Sequence, residues 1–523
     1  MYLSARSASS YLFSFIIALF ITKGVKAQSP VTITIDLTKK AQTIQNFGAS
    51  GCWFSDPVGK YWADSTKERM AELLFSRATD KKGNPKGIGL SAWRFNIGAG
   101  TAEQGDSSGI KDVNRRVECF LNADGTYSWN KEQGYVWFLK KAKAYGVENL
   151  IAFVNSPPVY YTQNGLGFKT TKDHYANLKA DKYKAYADFT ATVLAHFNKE
   201  GLSFNYISPV NEPQWDWYNK YGEGSQEGSP YTNKEIFEVV KTLNVALDNQ
   251  KLSTKILIPE AGMLTYLYNT PKGSETGSQV QAFWQGGSPL YLGDTKHMSR
   301  FVAGHGYFTE AGLKNTVDVR QQVADTAKKY GVEYWQSEYS MLADGFKEGN
   351  KTDRSAIDCA IFLAKLIHYD LTVGNASAWQ FWNSYEPGKA DFNTRYYLLA
   401  LDPSANFKSG NFRITKNLWA LGHYSRFIRP GMVRLALNTE TESDLLTSAF
   451  YGDKKLVLVM VNNSQAAKQV KLDLPAGMFS KRIQAYLTTA ASSDNMKACP
   501  SINTSGAITI QPRAIYTLVI NKK

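Results

Sequence analysis

The chain has 523 residues, 43% of them hydrophobic and 20% charged, which excludes disorder and a coiled coil and leaves room for a large domain plus a smaller one. Its formal charge of +14 is spread along the sequence without a long basic block, so a solvated basic surface accounts for it and no nucleic-acid partner is expected. Cys52, Cys119, Cys359 and Cys499 stand far apart, which allows one disulfide but neither a disulfide framework nor a close-spaced zinc site.

In chain order, the first element is an apolar run from Tyr11 to Ile21, preceded by Arg6 and followed by Val25 and Ala27 at the small-residue spacing of a signal-peptidase site. A bilayer span needs about 20 apolar residues, and this run is far shorter. Residues 1–27 are therefore read as a signal peptide and Gln28 as the mature N-terminus, giving a secreted or periplasmic protein with no stable membrane insertion after cleavage. Residues 28–42 follow, with an alternating strand at Val31 to Leu37 that is expected to join a sheet formed at the other end of the chain.

From Thr43 to Arg429, short apolar or β-branched runs alternate with segments of helical periodicity. The strand candidates are Thr43 to Gly48, Ala92 to Gly98, Asn149 to Ser156, Tyr206 to Asn211, Lys255 to Pro259, Phe301 to Tyr307, Tyr334 to Glu338 and Ser377 to Trp382. The clearest helix runs from Lys179 to Lys199, where Tyr183, Tyr186, Ala187, Thr190, Leu194 and Phe197 make one stripe, and Gly201 supplies a stop. Gln133 to Tyr145, Asn233 to Asp248, Val317 to Tyr330 and Arg354 to Leu371 read the same way, three of them stopped by Gly146, Gly331 and Gly374. Eight strand and helix pairs predict an α/β fold, a (β/α)8 barrel over residues 43–429. Residues 430–523 change to short alternating strands at Leu445 to Tyr451, Leu456 to Asn462, Val470 to Leu474, Arg482 to Thr488, Ala507 to Gln511 and Ile515 to Ile520, the pattern of a β-sandwich.

Chemistry in such a barrel sits at the C-terminal ends of the strands. The polar residues there are Arg94 and Asn96 on strand two, Asn155 on strand three, Asn211 and Glu212 on strand four, His305 and Tyr307 on strand six, Glu338 on strand seven, and Trp379 and Trp382 on strand eight. Cleaving a glycosidic bond takes two carboxyl groups, one to protonate the leaving oxygen and one to attack or to activate water. Glu212 and Glu338 lie on opposite sides of the ring and fit that pair. Asn211 is placed to bind the sugar hydroxyl beside the reacting carbon, and Arg94 and Tyr307 to stabilise the charge on Glu338. Glu260 closes strand five and reads as structural or substrate-facing. His305, as a lone histidine at a strand end, reads first as a hydrogen-bonding residue. No HExxH spacing occurs among the six histidines, no G-x-S-x-G elbow is present, and Gly98-Ala99-Gly100 lacks the third glycine of a dinucleotide site. Neither a metal nor a cofactor is expected.

The runs Gln45-Asn46-Phe47-Gly48-Ala49-Ser50-Gly51, Arg94-Phe95-Asn96-Ile97-Gly98, Asn155-Ser156-Pro157-Pro158, Val210-Asn211-Glu212-Pro213-Gln214, Gly304-His305-Gly306-Tyr307 and Trp335-Gln336-Ser337-Glu338 resemble glycoside hydrolase family 30. That resemblance covers nearly the whole mature chain. It implies a retaining enzyme with Glu212 as general acid/base and Glu338 as nucleophile, and a side β-sandwich built from both chain ends. Asn155-Ser156-Pro157-Pro158-Val159-Tyr160 and Asn211-Glu212-Pro213-Gln214-Trp215-Asp216-Trp217 are most similar to the endo-β-1,6-galactanase-like branch, which implies β-1,6-galactan side chains of arabinogalactan as substrate. Trp215 and Trp217 would then either serve as sugar platforms beside Glu212 or pack under the loop that carries it. The same residues leave open β-1,6-glucan, xylan or a glucosylated lipid, and a carbohydrate-binding protein without turnover; the presence of both carboxylates argues against the last.

Overall fold

The computed structural model describes residues 30–343, 356–388, 396–437 and 444–523. The predicted signal segment, residues 1–27, with Gln28 and the predicted helix start at Arg354, lies outside them. No helix among the described residues is long and apolar enough to cross a membrane.

Eight parallel strands close into a barrel: β1 (Asn46–Ser50), β2 (Ala92–Ile97), β3 (Asn149–Val154), β4 (Tyr206–Ser208), β5 (Lys255–Ala261), β6 (Met298–His305), β7 (Glu333–Tyr339) and β8 (Ala378–Phe381), the last pairing with both β7 and β1. Helices Gln133–Ala144, Tyr183–Lys199, Asn233–Asn249, Leu313–Lys329 and Ala356–Thr372 fall where the apolar periodicity puts them. Gly146, Gly201 and Gly331 take φ of +82°, +75° and +68°, the left-handed conformation that ends a helix at little cost only in glycine. The Asn233–Asn249 helix opens with a capping box, in which Thr232 and Glu235 satisfy each other's backbone amides.

The lower barrel interior is apolar. Ala92, Ile151, Leu257, Ala303, Trp335 and Ala378 fill it, with Phe301 stacked on Trp335 at 4.7 Å and Tyr206 edge-on at 4.9 Å. Three alanines among the inward positions make room for one tryptophan, the large-with-small filling by which layered barrels reach native packing density.

The predicted first barrel strand, Thr43 to Gly48, begins too early. Lys40–Thr43 pairs with Val433–Leu435 in the sandwich, and the chain crosses to the barrel only at Asn46. The sandwich itself has an eight-stranded sheet, running from Lys497–Ala498 through Arg482–Thr488, Ala514–Asn521, Lys455–Asn462, Leu445–Gly452 and Val433–Leu435 to Lys40–Thr43, with Ile502–Asn503 off this path. Its second sheet joins Val31–Thr34, in parallel, to Lys468–Asp473 and then Ile508–Ile510. Ile33, Leu458, Met460, Val470, Leu518 and Ile520 meet in its own apolar core. The helix after β8, Lys416–Ser425, carries His423 into the joint between barrel and sandwich, where its two ring nitrogens meet the hydroxyls of Thr517 and Thr488 at 2.8 and 2.9 Å. Between β8 and that helix, the strands Tyr385–Pro387, Leu399–Pro403 and Gly410–Ile414 form a small sheet that is not among the strands expected from the sequence. Cys52, Cys119 and Cys499 are free thiols, so the one disulfide that the sequence allows is not formed.

Candidate active site

Two backbone features aim the mouth residues. β4 stops at Ser208, and Glu212 sits beyond it at φ +46°; Glu260, near the end of β5, has φ +55°. A non-glycine residue in the left-handed region costs on the order of 1 kcal/mol or more and persists where its surroundings fix it. Here the amide of Glu212 donates to the carbonyl of Glu260 at 2.9 Å, and the indole of Trp217 donates to the carbonyl of Glu212 at 3.1 Å. On β7, pairing to both neighbours slips by a residue around Ser337, a β-bulge. The bulge lets consecutive residues face inward: Ser337 reaches Glu260, and Glu338 reaches Arg94 and Tyr307.

These strand ends bring five ionisable groups together with little water. Glu338 accepts hydrogen bonds from the Arg94 guanidinium, from the Tyr307 hydroxyl at 3.0 Å, and, through its own amide, is tied to the Gln336 side chain at 2.8 Å. His305, fully buried, has Nδ1 2.8 Å from Oε1 of Glu212 and Nε2 3.2 Å from Oε2 of Glu260. Glu260 also accepts from Ser208 and Ser337, each at 2.5 Å, and lies 3.6 Å from Arg94. Burial pushes the Glu260 carboxyl up, but Arg94, His305 and the hydroxyl donors outweigh it and hold the group at about 2. Burial likewise disfavours the His305 cation, yet the charge of Glu338 and the hydrogen bonds to Glu212 and Glu260 raise it to about 10. For Glu212 burial wins: the carboxyl is pushed above its ordinary value, against the pull of His305 and with the help of Glu338. One carboxyl of the mouth is thus biased toward its acid form, while a second is held ionised.

A chain of amides lines the opposite wall. Asn155 donates to Asn96 at 3.1 Å, Asn211 donates to Asn155 at 3.1 Å, and Arg94 donates to Asn211 at 3.1 Å, with the guanidinium 4.0 Å from the centre of the Phe153 ring. The side chain of Asn211 is thereby fixed before any ligand arrives. Glu212, His305 and Glu338 each offer one donor atom within 4.8 Å of the others, the spacing of a metal site. Those atoms are already committed, since a protonated imidazole has no lone pair to offer and Glu338 is held by Arg94 and Tyr307.

Of the residues singled out in the sequence, Arg94, Asn155, Asn211, Glu212, His305, Tyr307 and Glu338 meet at this mouth. Trp215 lies at the rim, half-buried, its ring 6.2 Å from that of Tyr266 and capped by the Lys272 ammonium at 4.7 Å. Trp217 packs under the acid-bearing loop, and a Cβ on Gly228 would come within 2.2 Å of its ring. Trp379 does not line the mouth. It is fully buried behind the sheet, its indole donating to Asp370 of the Ala356–Thr372 helix at 2.9 Å. Side chains alternate along a strand, and Ala378 faces the interior, so Trp379 must face the helices. Trp382, beyond the end of β8, is the residue that reaches the mouth, edge-on to Trp53 at 5.2 Å. Trp53, stacked under Arg115 at 4.4 Å, was missed in the sequence, as were Ser208 and Ser337. Glu260, expected from the sequence to be structural or substrate-facing, is fully buried among Ser208, Ser337 and His305.

A (β/α)8 barrel with a side sandwich and two carboxyl groups facing each other across its mouth is the framework of a glycoside hydrolase. The family model for O-glycosyl hydrolase family 30 matches residues 30–393, and the chain belongs to that family. It is similar to an endo-β-1,6-galactanase from Hypocrea rufa, 24% identical over 472 residues that span 86% of this chain and 84% of that one. Glucuronoxylanase XynC of Bacillus subtilis strain 168 is 22% identical over 517 residues, 95% of this chain and 93% of its own. Among solved structures, a conserved exported protein from Bacteroides fragilis superposes with a TM-score of 0.86 at 31% identity, covering 93% of this chain and 100% of that one.

Proposed function

We propose that the protein is an exported, retaining β-glycoside hydrolase that cleaves β-1,6-galactan side chains of arabinogalactan. The observation that carries the mechanism is the distance between the two carboxyl groups: an oxygen of Glu212 and an oxygen of Glu338 lie within 4.8 Å. Retaining enzymes hold their pair about 5 to 5.5 Å apart, whereas inverting ones leave roughly 6.5 to 9.5 Å for a water. In the first step Glu338 attacks the anomeric carbon while the glycosidic bond breaks and Glu212 gives its proton to the departing oxygen. In the second, Glu212 takes a proton from water, whose oxygen attacks the same carbon and releases Glu338. Asn211 binds the hydroxyl next to that carbon, and Arg94 and Tyr307 orient Glu338. Asn155 acts by fixing Asn211. Trp215 is placed at the rim to meet sugars on the leaving-group side.

The galactan assignment is supported by the similarity to the Hypocrea rufa galactanase along most of both chains. Export is supported by the apolar run from Tyr11 to Ile21 with its small-residue site, and by the description of the Bacteroides fragilis relative as exported.

The test is incubation of the mature chain with arabinogalactan, β-1,6-glucan and glucuronoxylan, beside Glu338→Gln, following products by chromatography. Release of β-1,6-galacto-oligosaccharides by the wild type alone is the expected result, and release only from another polymer replaces the substrate while keeping the enzyme class. Proton NMR of the first-formed anomer then reads the mechanism: an inverted product would rule out Glu338 as nucleophile.

A further inference from the structure

The third carboxylate of the mouth has no part in the two steps above, yet it is the most heavily bonded group there. Glu260 is fully buried, accepts from Ser208, Ser337 and His305, and is 3.6 Å from Arg94. A carboxylate with three hydrogen-bond donors and a guanidinium around it, and no exposed surface, cannot exchange protons with a substrate. Its charge nonetheless decides how many protons its neighbours keep.

We propose that Glu260 is a positioning residue for acid catalysis: it keeps His305 doubly protonated, so that His305 always donates from Nδ1 to Oε1 of Glu212 and the catalytic proton is carried on Oε2. This rests on the reading of Glu212 as the general acid. The charge count of the mouth supports it. Arg94 and His305 are cationic and Glu260 and Glu338 anionic, so the cluster is neutral when Glu212 is protonated and carries one negative charge when it is not. The groups facing His305 are Glu212 from the loop after β4, Glu260 from β5 and Glu338 from β7, with Arg94 from β2 touching the last two and Tyr307 beside it on its own segment. Without the Glu260 charge, a buried imidazolium loses one of its counter-ions, and the His305 and Glu212 pair holds one proton fewer at neutral pH. Of the two protons that remain, one stays on Nε2 and the other lies between Nδ1 and Oε1, where it cannot reach a leaving oxygen bound on the other side of the carboxyl.

Leaving-group dependence separates this role from a structural one. A phenyl glycoside needs a proton on its departing oxygen, whereas a 2,4-dinitrophenyl glycoside leaves without one. Both would be made from the disaccharide that the enzyme releases from its polymer. In Glu260→Gln, which keeps shape and most hydrogen bonds, kcat/KM on the phenyl glycoside is expected to fall about 100-fold or more, the scale of general acid catalysis. The loss on the dinitrophenyl glycoside should be no more than about a tenth of that on the phenyl glycoside. The basic limb of the pH profile on the phenyl substrate should move to lower pH, because acid restores the missing proton to His305. Equal losses on both substrates with an unmoved limb would mean that Glu260 merely holds the fold, and would overturn the proposal. His305→Gln removes the donor and leaves Glu260 in place, so it should show the same split and covers the case in which Glu260→Gln does not fold. Glu212→Ala tests the underlying reading separately: a split there with none in Glu260→Gln or His305→Gln defeats only the role of Glu260, while no split in Glu212→Ala defeats the acid assignment itself.

Discussion

The lower and upper halves of the barrel interior are built from the same eight strands and could hardly differ more in chemistry. Below, Ala92, Ile151, Leu257, Ala303 and Ala378 enclose Trp335 without an ionisable side chain among them. Above, only three residues farther along β7, Glu338 enters a cluster that packs three carboxyl groups, an arginine and a histidine into space almost closed to water. Dispersion and hydrophobic burial hold the lower half, and they are insensitive to pH. The upper half is held by hydrogen bonds that work only at the right protonation, and two of its glutamates sit at positive φ. The stable floor carries the strain and desolvation that the reactive ceiling requires.

The contrast can be broken from either side. The largest effect expected is on turnover: Glu338→Gln should lower kcat by at least about 10⁴-fold, measured on any substrate that the wild type cleaves, because a nucleophile has no substitute. Trp335→Ala should instead destabilise the fold by about 3 to 5 kcal/mol, read from urea unfolding, since three facing alanines cannot expand to fill the gap. Trp379→Phe sharpens the comparison by leaving both halves of the interior untouched. It strips Asp370 of one donor behind the sheet and should cost about 1 to 3 kcal/mol, with kcat and KM unchanged. A rise in KM would instead place Trp379 in contact with sugar.

The smallest effect is a pH dependence confined to the upper half. Glu260 is held near 2 against an ordinary 4.5, so the stability it contributes is complete above pH 4.5 and is lost as the pH falls toward 2. His305 is raised to about 10 from 6.5, so its contribution is complete below pH 6.5 and is lost as the pH rises toward 10. The raised carboxyl of Glu212 contributes stability that is complete below pH 4.5 and is lost as the pH rises above it. The contribution of this cluster to the thermal unfolding midpoint should therefore peak near pH 4.5 and decline to either side, and Trp335→Ala should lower the whole curve without changing that dependence.

Much of the lower half was legible in the sequence. Helical stripes and the glycines that end them, Gly146, Gly201 and Gly331, follow from local rules, and so do the strands between them. Glu212 and Glu338 were visible because strand ends are where a barrel carries its chemistry. What could not be seen were the departures from regular geometry. The run from Thr43 to Gly48 is continuous in hydropathy although it passes from one sheet to another. In Ala378-Trp379-Gln380-Phe381-Trp382 the pattern fits either facing, and the facing is seen only in the pairing, where Ala378 stands beside Trp335 of the neighbouring strand and both turn inward. The bulge at Ser337 and the left-handed Glu260 have no signature in a single sequence, and these are the features that assemble the buried network around His305.

The residue that joins the two domains has a consequence for where they can be separated. Burial depresses His423 to about 3, so it stays uncharged at any ordinary pH and keeps bridging Thr488 and Thr517 of the sandwich. It lies on the last helix of the barrel, and the strands Val31–Thr34 and Lys40–Thr43 from the opposite end of the chain complete the sandwich sheets. A cut near residue 430 would thus strip a buried imidazole of both partners and leave two orphan strands at the other terminus. The sandwich is not a detachable module that could be shuffled onto another barrel; it is the clasp in which the beginning and the end of the polypeptide are fastened together.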